Sequence, residues 1–141
     1  LAWAHVEDDE LLAAAPNGAQ LNAQSRVNPE DLAPRDLILL EDGHCLRDHA
    51  LAACGLEPPK STDEETFAAT SLPTLVQMVS SGLGVTFLPA MAVNAGLTEH
   101  VGVTTRPLQA DHPSREIVVA WRAGSSRANE GRMLAEVLRG V

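Results

Sequence analysis

The stretch TFAATSLPTLVQMVSSGLGVTFLPA, residues 66–90, predicts a strand, a helix and a second strand in direct succession. Residues 66–70 are strand-like, and Ser71 is a favourable N-cap for the leucines and valines that follow at helical spacing. The glycines in residues 82–84 end this helix before the apolar run of residues 85–89. Such a succession is the building unit of an α/β sheet.

The same alternation continues on both sides of this stretch. Apolar runs predict further strands at residues 10–15, 37–40, 101–103 and 117–121. Helical patterns cover one turn at residues 28–32, a helix from residue 42 to about residue 54, and a last amphipathic helix at residues 128–138. The alternation predicts an open α/β sheet with right-handed crossovers. The apolar face of the last helix needs a partner, which is either this sheet or a neighbouring domain.

Length and composition indicate one globular domain. The chain has 141 residues, of which 45% are hydrophobic and 21% charged. No apolar run approaches the roughly 20 residues of a membrane span, and no signal peptide opens the chain. The first residue is Leu rather than Met, which predicts a piece of a longer protein.

The net charge of −9 is concentrated in the first half of the chain. Residues 1–70 contain 14 acidic and 4 basic residues, whereas residues 71–141 contain 5 and 6. An acidic surface repels phosphate backbones, so we do not expect this chain by itself to hold DNA.

The two cysteines lie nine residues apart in the segment EDGHCLRDHALAAC, residues 41–54. Both could be small buried hydrophobic residues, which is the common state of free cysteines. A structural disulfide is less favoured in a chain without a signal peptide, and the spacing of Cys and His does not suit zinc. The interpretation changes when the predicted helix is considered. Cys45 falls near its N-terminus, where free N–H groups and the helix dipole stabilise a thiolate.

The charges around Cys45 are mixed, and the second cysteine lies at the other end of the predicted helix. His44, Arg47 and His49 can add positive charge, while the acidic side chains at residues 41, 42 and 48 oppose it. If both cysteines are helical, nine residues place them ~13 Å apart along the axis. A disulfide needs Cα atoms within roughly 7 Å, so oxidation would require local refolding, as a redox switch does.

Two motifs resemble a known family. The segment LLEDGHCLRD, residues 39–48, followed by Cys54, resembles the switch segment of OxyR-type regulators, the hydrogen-peroxide-sensing members of the LysR family of transcription regulators. Residues 69–90 resemble the helix and strand common to LysR-type effector domains. The resemblance implies a periplasmic-binding-protein-like α/β fold, of which this chain holds mostly the second subdomain and a returning C-terminal helix.

The resemblance also implies a division of the chain. Residues 1–11 would be a hinge or crossover segment, and residues 12–122 the second α/β regulatory subdomain with the cysteine switch. Residues 123–141 would be the return segment and C-terminal helix of the first subdomain. The DNA-binding domain would be absent.

Within the family, Cys45 would be the peroxidatic cysteine and Cys54 the resolving cysteine of a reversible disulfide. Four residues match supporting positions around the reactive cysteine: His44, Arg47, Asp48 and Arg115. Thr70 and Ser71, at the start of a helix, form a candidate cleft or anion site. Helix capping by Ser71 is the simpler interpretation of the same residues. The resemblance implies no enzyme activity, no cofactor and no metal.

The implied partners are those of a cytoplasmic bacterial activator of the oxidative stress response. Hydrogen peroxide would be the signal, and a thiol reductant of the glutaredoxin or thioredoxin type would reset the switch. DNA would be contacted only through an N-terminal domain, and RNA polymerase would be contacted by the full-length protein. The full-length protein would be a dimer or tetramer and would not contact a membrane. Three alternatives stay open: a metabolite-binding LysR-type effector domain with incidental cysteines, a thiol peroxidase, and a truncated product without function.

Overall fold

The computed structural model describes residues 1–32, 36–41, 45–53, 55, 68–109 and 114–141. The chain divides into two compact units. The first unit comprises Leu1–Asp9 and Ser114–Val141, and the second comprises Glu10–Pro113. The strands of the chain are β1 (Ala2–Asp9), β2 (Leu11–Pro16), β3 (Leu39–Leu40), β4 (Ala68–Ala69), β5 (Thr86–Pro89), β6 (Val103–Pro107) and β7 (Arg115–Trp121). The α-helices of the chain are α1 (Cys45–Ala53), α2 (Leu72–Ser80), α3 (Ala90–Asn94) and α4 (Ala128–Arg139).

The second unit is built on a mixed sheet. β2 lies between β5 and β6 and is antiparallel to both. β3 and β4 are parallel, as expected for strands joined by the crossover helix α1. A parallel bridge between Leu37 and Val85 links the start of β3 to the start of β5. The predicted alternation of strands and helices is therefore confirmed, and the strand predicted at residues 10–15 is β2, which runs antiparallel to its neighbours.

β3 and the two residues before it are buried on both faces, as expected for a continuous apolar run. Leu37 and Leu39 pack in one hydrophobic cluster with Ala50 and Leu51 of α1. Residues Ile38 and Leu40 point into a second cluster, which contains the buried face of α2. That face consists of Leu75, Val76 and Val79, each at most 1% exposed. Two helices thus cover opposite sides of one strand.

Three helix termini are set by local signals, of which the Ser71 cap is the one predicted above. The Ser71 side chain accepts a hydrogen bond from the Thr74 N–H and caps α2. The Asn28 side chain accepts one from the Glu30 N–H at 3.1 Å and begins a single 3-10 turn at Pro29–Asp31. Gly55 has a φ of +61° just after α1, and its N–H donates to the Ala52 carbonyl.

The predicted strand at residues 101–103 is wrong in its position. β6 begins only at Val103 and continues to Pro107. His100 and Gly102 have positive φ values of 58° and 71°, so the backbone turns there instead of extending. Three described elements have no counterpart in the prediction, namely β1, a 3-10 helix at Gln20–Ala23 and the short helix α3.

The first unit is a two-stranded antiparallel sheet with α4 packed on it. β1 pairs with β7 from Ala2 opposite Trp121 to Asp9 opposite Arg115. Gly131 of α4 allows the close approach, since a Cβ there would lie 2.5 Å from the Trp121 ring. The opposite side of α4 stays exposed among the described residues, with side chains 43–64% exposed at Met133, Leu134, Val137 and Leu138. The sheet therefore covers only one side of this helix.

Candidate functional site

Cys45 lies at the first residue of α1, close to the end of β3. The pairing of β3 with β4 continues one residue further, because the Glu41 N–H donates to the Ala69 carbonyl at 3.0 Å. The buried side of α1 holds Ala50 and Leu51. Cys45 is on the opposite side and carries a free, exposed thiol. The packing of α1 on the sheet thus presents the Cys45 sulfur to solvent at the first residue of the helix.

Asp48 and His49 share the exposed face of α1 with Cys45. They follow it by three and four residues, a spacing that brings Cβ atoms to roughly 5–6 Å on a helix. Asp48 is in the first turn, where a carboxylate is favourable next to the helix N-terminus. Asp48 and His49 therefore lie on the same exposed face as Cys45, and the predicted supporting role of Asp48 stays a prediction.

Arg47 points toward the sheet rather than along the exposed face. Its side chain is half-buried, and Nη1 donates a hydrogen bond of 3.3 Å to the carbonyl of Leu40 at the end of β3. It lines a small cavity of about 10 Å³, the other walls being Leu39, Leu40, Leu46, Ala50, Leu75, Thr86 and Phe87. Such a space is at the lower limit for one water molecule. Arg47 therefore connects the first turn of α1 to β3.

Four residues of the segment that resembles the switch lie outside the described residues: Asp42, Gly43, His44 and Cys54. The predicted start of the helix at residue 42 and the pairing of Cys45 with Cys54 therefore remain predictions. Among the described residues, no group of three His, Cys, Asp or Glu side chains is arranged to hold a metal ion.

Ser71 is engaged in capping. Its Oγ accepts a hydrogen bond of 3.3 Å from the Thr74 N–H and lies 3.0 Å from the Thr74 hydroxyl. Thr70, the residue before it, is exposed. The capping prediction is confirmed, and the anion site at Thr70 and Ser71 stays a prediction.

Arg115 belongs to the first unit, where it is bound to a residue that the sequence analysis did not single out. Its Nε and one terminal nitrogen both lie 2.7 Å from Oδ2 of Asp9. The Asp9 side chain is 2% exposed. The predicted supporting role of Arg115 beside the reactive cysteine stays a prediction. No local motif marks Asp9, which stands in a run of four acidic residues.

Within the described part of the chain, no helix is long and apolar enough to cross a bilayer.

Comparisons with known proteins agree with the fold. The model of the LysR substrate binding domain family matches residues 1–141. OxyR of Escherichia coli K12, a DNA-binding transcriptional dual regulator, is 44% identical over 133 residues, which are 94% of this chain and 42% of that protein. The transcriptional regulator EstR of Acinetobacter baylyi is 38% identical over 113 residues, 79% of this chain and 36% of that protein.

A solved structure supports the same relationship. The reduced regulatory domain of OxyR2 from Vibrio vulnificus superposes with a TM-score of 0.80 at 35% identity, covering 99% of this chain and 64% of that one. The chain thus spans about two fifths of the curated relatives it matches and about two thirds of a solved regulatory domain. The periplasmic-binding-protein-like α/β fold is confirmed, and these relatives are regulators of transcription.

Proposed function

The chain belongs to the LysR substrate binding domain family, and we propose that it is the peroxide-sensing regulatory part of an OxyR-type transcription activator. In this proposal Cys45 reacts with hydrogen peroxide and then forms a reversible disulfide with Cys54. The observation that carries it is the free, exposed thiol of Cys45 at the N-terminus of α1, within a segment that resembles the peroxide switch.

The geometry of α1 supports a switch rather than a static disulfide. Eight residue steps along the helix place Ala53 ~12 Å from Cys45. One further residue adds at most 3.8 Å of reach, so the bond requires α1 to unwind, because disulfide Cα atoms lie within roughly 7 Å. Oxidation at this position would therefore change the fold locally, which is what converts a chemical signal into a conformational one.

The proposed reaction balances as two steps. The Cys45 thiolate attacks one oxygen of hydrogen peroxide, an S–O bond forms, the O–O bond breaks and hydroxide leaves. The resulting sulfenic acid condenses with the Cys54 thiol, so that an S–S bond forms and the sulfenic oxygen leaves as water. A dithiol of the glutaredoxin or thioredoxin class then reduces the disulfide by exchange and is itself oxidised.

The experiment is oxidation of the reduced chain with one equivalent of hydrogen peroxide. We expect intact-mass analysis to show the loss of two hydrogen atoms and a peptide map to show the Cys45–Cys54 bond. Far-UV circular dichroism should lose helical signal at the same rate. Cys54→Ser should stop at a sulfenic acid on Cys45 that a dimedone probe captures, while Cys45→Ser should capture no probe. Wild-type thiols that remain free after oxidation would overturn the sensing role.

The remaining partners follow from the same proposal. With a net charge of −9, this chain is poorly suited to contact DNA, so another part of a dimeric or tetrameric cytoplasmic regulator would engage DNA. RNA polymerase would be contacted by the full-length protein. Salt-dependent binding of an isolated preparation of this chain to promoter DNA would contradict that division of roles.

A metabolite-binding effector domain is the second candidate. It is favoured by the similarity to EstR, a regulator whose name does not refer to peroxide. In that case a small molecule would raise the thermal stability of the chain, and Cys45→Ser would respond to the molecule as the wild type does. The peroxide proposal expects Cys45→Ser to lose its response.

A further inference from the structure

Asn17, directly after β2, is the only asparagine of the chain that a glycine follows. Asn17 and Gly18 are both exposed. The backbone nitrogen after an asparagine can attack the side-chain amide carbon, and glycine hinders that attack least because it has no Cβ. Across the ranges that the structure describes, the Gly18 N–H has no hydrogen-bond acceptor. The Asn17 amide therefore has a neighbouring nucleophile that no other contact occupies.

The turn around these residues keeps that nucleophile away from the amide carbon. The Ala19 N–H donates to the Pro16 carbonyl at 3.1 Å, and Gly18 has a φ of +81°. Of the described non-glycine residues only His100 has a positive φ, so the φ of Asn17 is negative and the turn is type II. In such a turn the ψ of the second residue is about +120°, which rotates the next nitrogen ~120° away from the position that eclipses Cβ. Ring closure needs the eclipsed position, so the turn must open before the nitrogen can attack.

A second contact holds the Asn17 side chain. The Thr104 hydroxyl of β6 donates a hydrogen bond of 2.6 Å to Oδ1 of Asn17. The Asn17 N–H donates to the Gly102 carbonyl at 2.9 Å, which extends the pairing of β2 with β6 by one residue beyond Pro16. The side chain and the backbone of Asn17 are thus both bound at the start of β6, within the second unit.

We propose that Asn17 is a site of spontaneous deamidation, and that the type II turn and the Thr104 hydroxyl together slow this reaction in the folded chain. The Gly18 nitrogen gives its proton to water and attacks Cγ of Asn17. A C–N bond forms, the bond from Cγ to Nδ2 breaks, and ammonia leaves. Water then opens the cyclic imide at either carbonyl carbon and gives aspartate or isoaspartate. No oxidant or reductant takes part, so the reaction is independent of the proposed function of Cys45.

The two products affect the end of β2 differently. Aspartate keeps an oxygen acceptor for the Thr104 hydroxyl and adds a negative charge. Isoaspartate carries the main chain through the former side chain, which lengthens the turn between Pro16 and Ala19 by one carbon atom. The present hydrogen bond across that turn requires the four-residue spacing of a β-turn. We therefore expect isoaspartate at residue 17 to open the turn.

Incubation of the reduced chain at mildly alkaline pH, followed by peptide mapping with mass spectrometry, tests the site. We expect the amide of Asn17 to become an acid, with isoaspartate detected by an isoaspartate methyltransferase. The other asparagines are internal controls because no glycine follows them: Asn22, Asn28, Asn94 and Asn129. The chain unfolded in guanidinium chloride gives the rate without the turn, and the folded chain should react about 10- to 100-fold more slowly. A folded chain in which Asn17 stays intact beyond the hundredfold limit would overturn the site, and equal rates in the two states would overturn the protection.

Substitutions in β6 test the role of the Thr104 hydroxyl. Thr104→Val keeps the β-branched shape without the hydroxyl, and the folded chain should then deamidate at Asn17 about fivefold faster, as expected for the loss of one side-chain hydrogen bond. Thr104→Ser keeps a hydroxyl and should react as the wild type does, and Thr104→Ala serves if Thr104→Val does not fold. Thr105→Val is the matched control, because it makes the same change at the next residue of the strand. If the loss of the Thr104 hydroxyl left the rate unchanged, or lowered it, Thr104 would not protect Asn17.

Discussion

Two substitutions at Ser71 separate helix capping from anion binding at the start of α2. Ser71→Ala removes the hydroxyl that accepts a hydrogen bond from the Thr74 N–H at 3.3 Å. Ser71→Asp keeps an acceptor at the same place and adds a negative charge. A cap needs only the acceptor, whereas a bound anion would be repelled by the added carboxylate.

The expected magnitudes follow from the geometry. Replacing a capping serine by alanine costs about 1 kcal/mol, within a range of roughly 0.5–2 kcal/mol. The Ser71 bond is slightly longer than the usual 2.7–3.2 Å, which favours the lower half of that range. We therefore expect Ser71→Ala to lose about 0.5–1 kcal/mol, equivalent to a melting temperature lower by about 2–4 °C. Ser71→Asp should stay within about 0.5 kcal/mol of the wild type, since Asp is as good an N-cap.

Urea unfolding followed by far-UV circular dichroism measures these differences. Ser81→Ala is the matched control, because the Ser81 hydroxyl donates to the Gln77 carbonyl at the exposed C-terminal end of the same helix. Inorganic phosphate added to all four proteins should shift stability equally if Ser71 only caps. Ser71→Ala with wild-type stability would refute the capping argument. A phosphate effect lost only in Ser71→Asp would show that the start of α2 binds anions.

Two packing predictions concern one unit each. The Leu75 side chain is 1% exposed in the core of the second unit, so Leu75→Ala should lower the free energy of unfolding by about 2–5 kcal/mol, measured by urea unfolding. Its control is Gln77→Ala on the exposed face of α2, which should change that free energy by no more than about 0.5 kcal/mol. Gly131→Ala should not stabilise the first unit despite the better helix propensity of alanine, because the new methyl group would lie 2.5 Å from the Trp121 ring. Gly140→Ala is the control in thermal unfolding, because a Cβ there would come no closer than 3.6 Å to any atom beyond its chain neighbours. If Gly131→Ala were more stable than Gly140→Ala, contact with Trp121 would not be the reason for the glycine at residue 131.

Elements with local signals could be predicted from the sequence. Ser71 has a backbone donor three residues later, Asn28 precedes a proline, and Gly55 follows a helical pattern, so each terminus is marked by residues close in the chain. The apolar run at residues 37–40 predicted a strand buried on both faces because parallel central strands need no polar side. These features depend on neighbouring residues alone, which is why a single sequence reveals them.

Strand β6 shows a misread local signal. Residues 101–103 were predicted as a strand because two valines flank a glycine. Gly102 instead takes a positive φ, and the strand uses the β-branched residues that follow, Val103, Thr104 and Thr105. A glycine inside a predicted strand often marks a turn or bulge, and that rule would have moved the boundary.

At the candidate site too, local features could be predicted from the sequence, whereas features set by tertiary packing could not. Cys45 could be found because helix position and cysteine spacing are local properties, and its exposure follows from which face of α1 carries Ala50 and Leu51. The direction of Arg47 toward the Leu40 carbonyl depends on how α1 packs on β3, so the sequence placed Arg47 beside Cys45 without revealing its hydrogen bond.

Asp9 was missed because its partner is set by strand register. The pairing of β1 with β7 slips by one residue between His5 and Glu7. Without that bulge, a ladder starting at Ala2 opposite Trp121 would bring Asp8, not Asp9, opposite Arg115, because a one-residue slip exchanges the faces of a strand. The acidic run of residues 7–10 offers four carboxylates, and only the bulge selects the one that is buried against a guanidinium 106 residues away. An ion pair chosen in this way depends on register rather than composition. An uncharged residue inserted between His5 and Glu7 should therefore break the Asp9–Arg115 ion pair while leaving every charge in the chain unchanged.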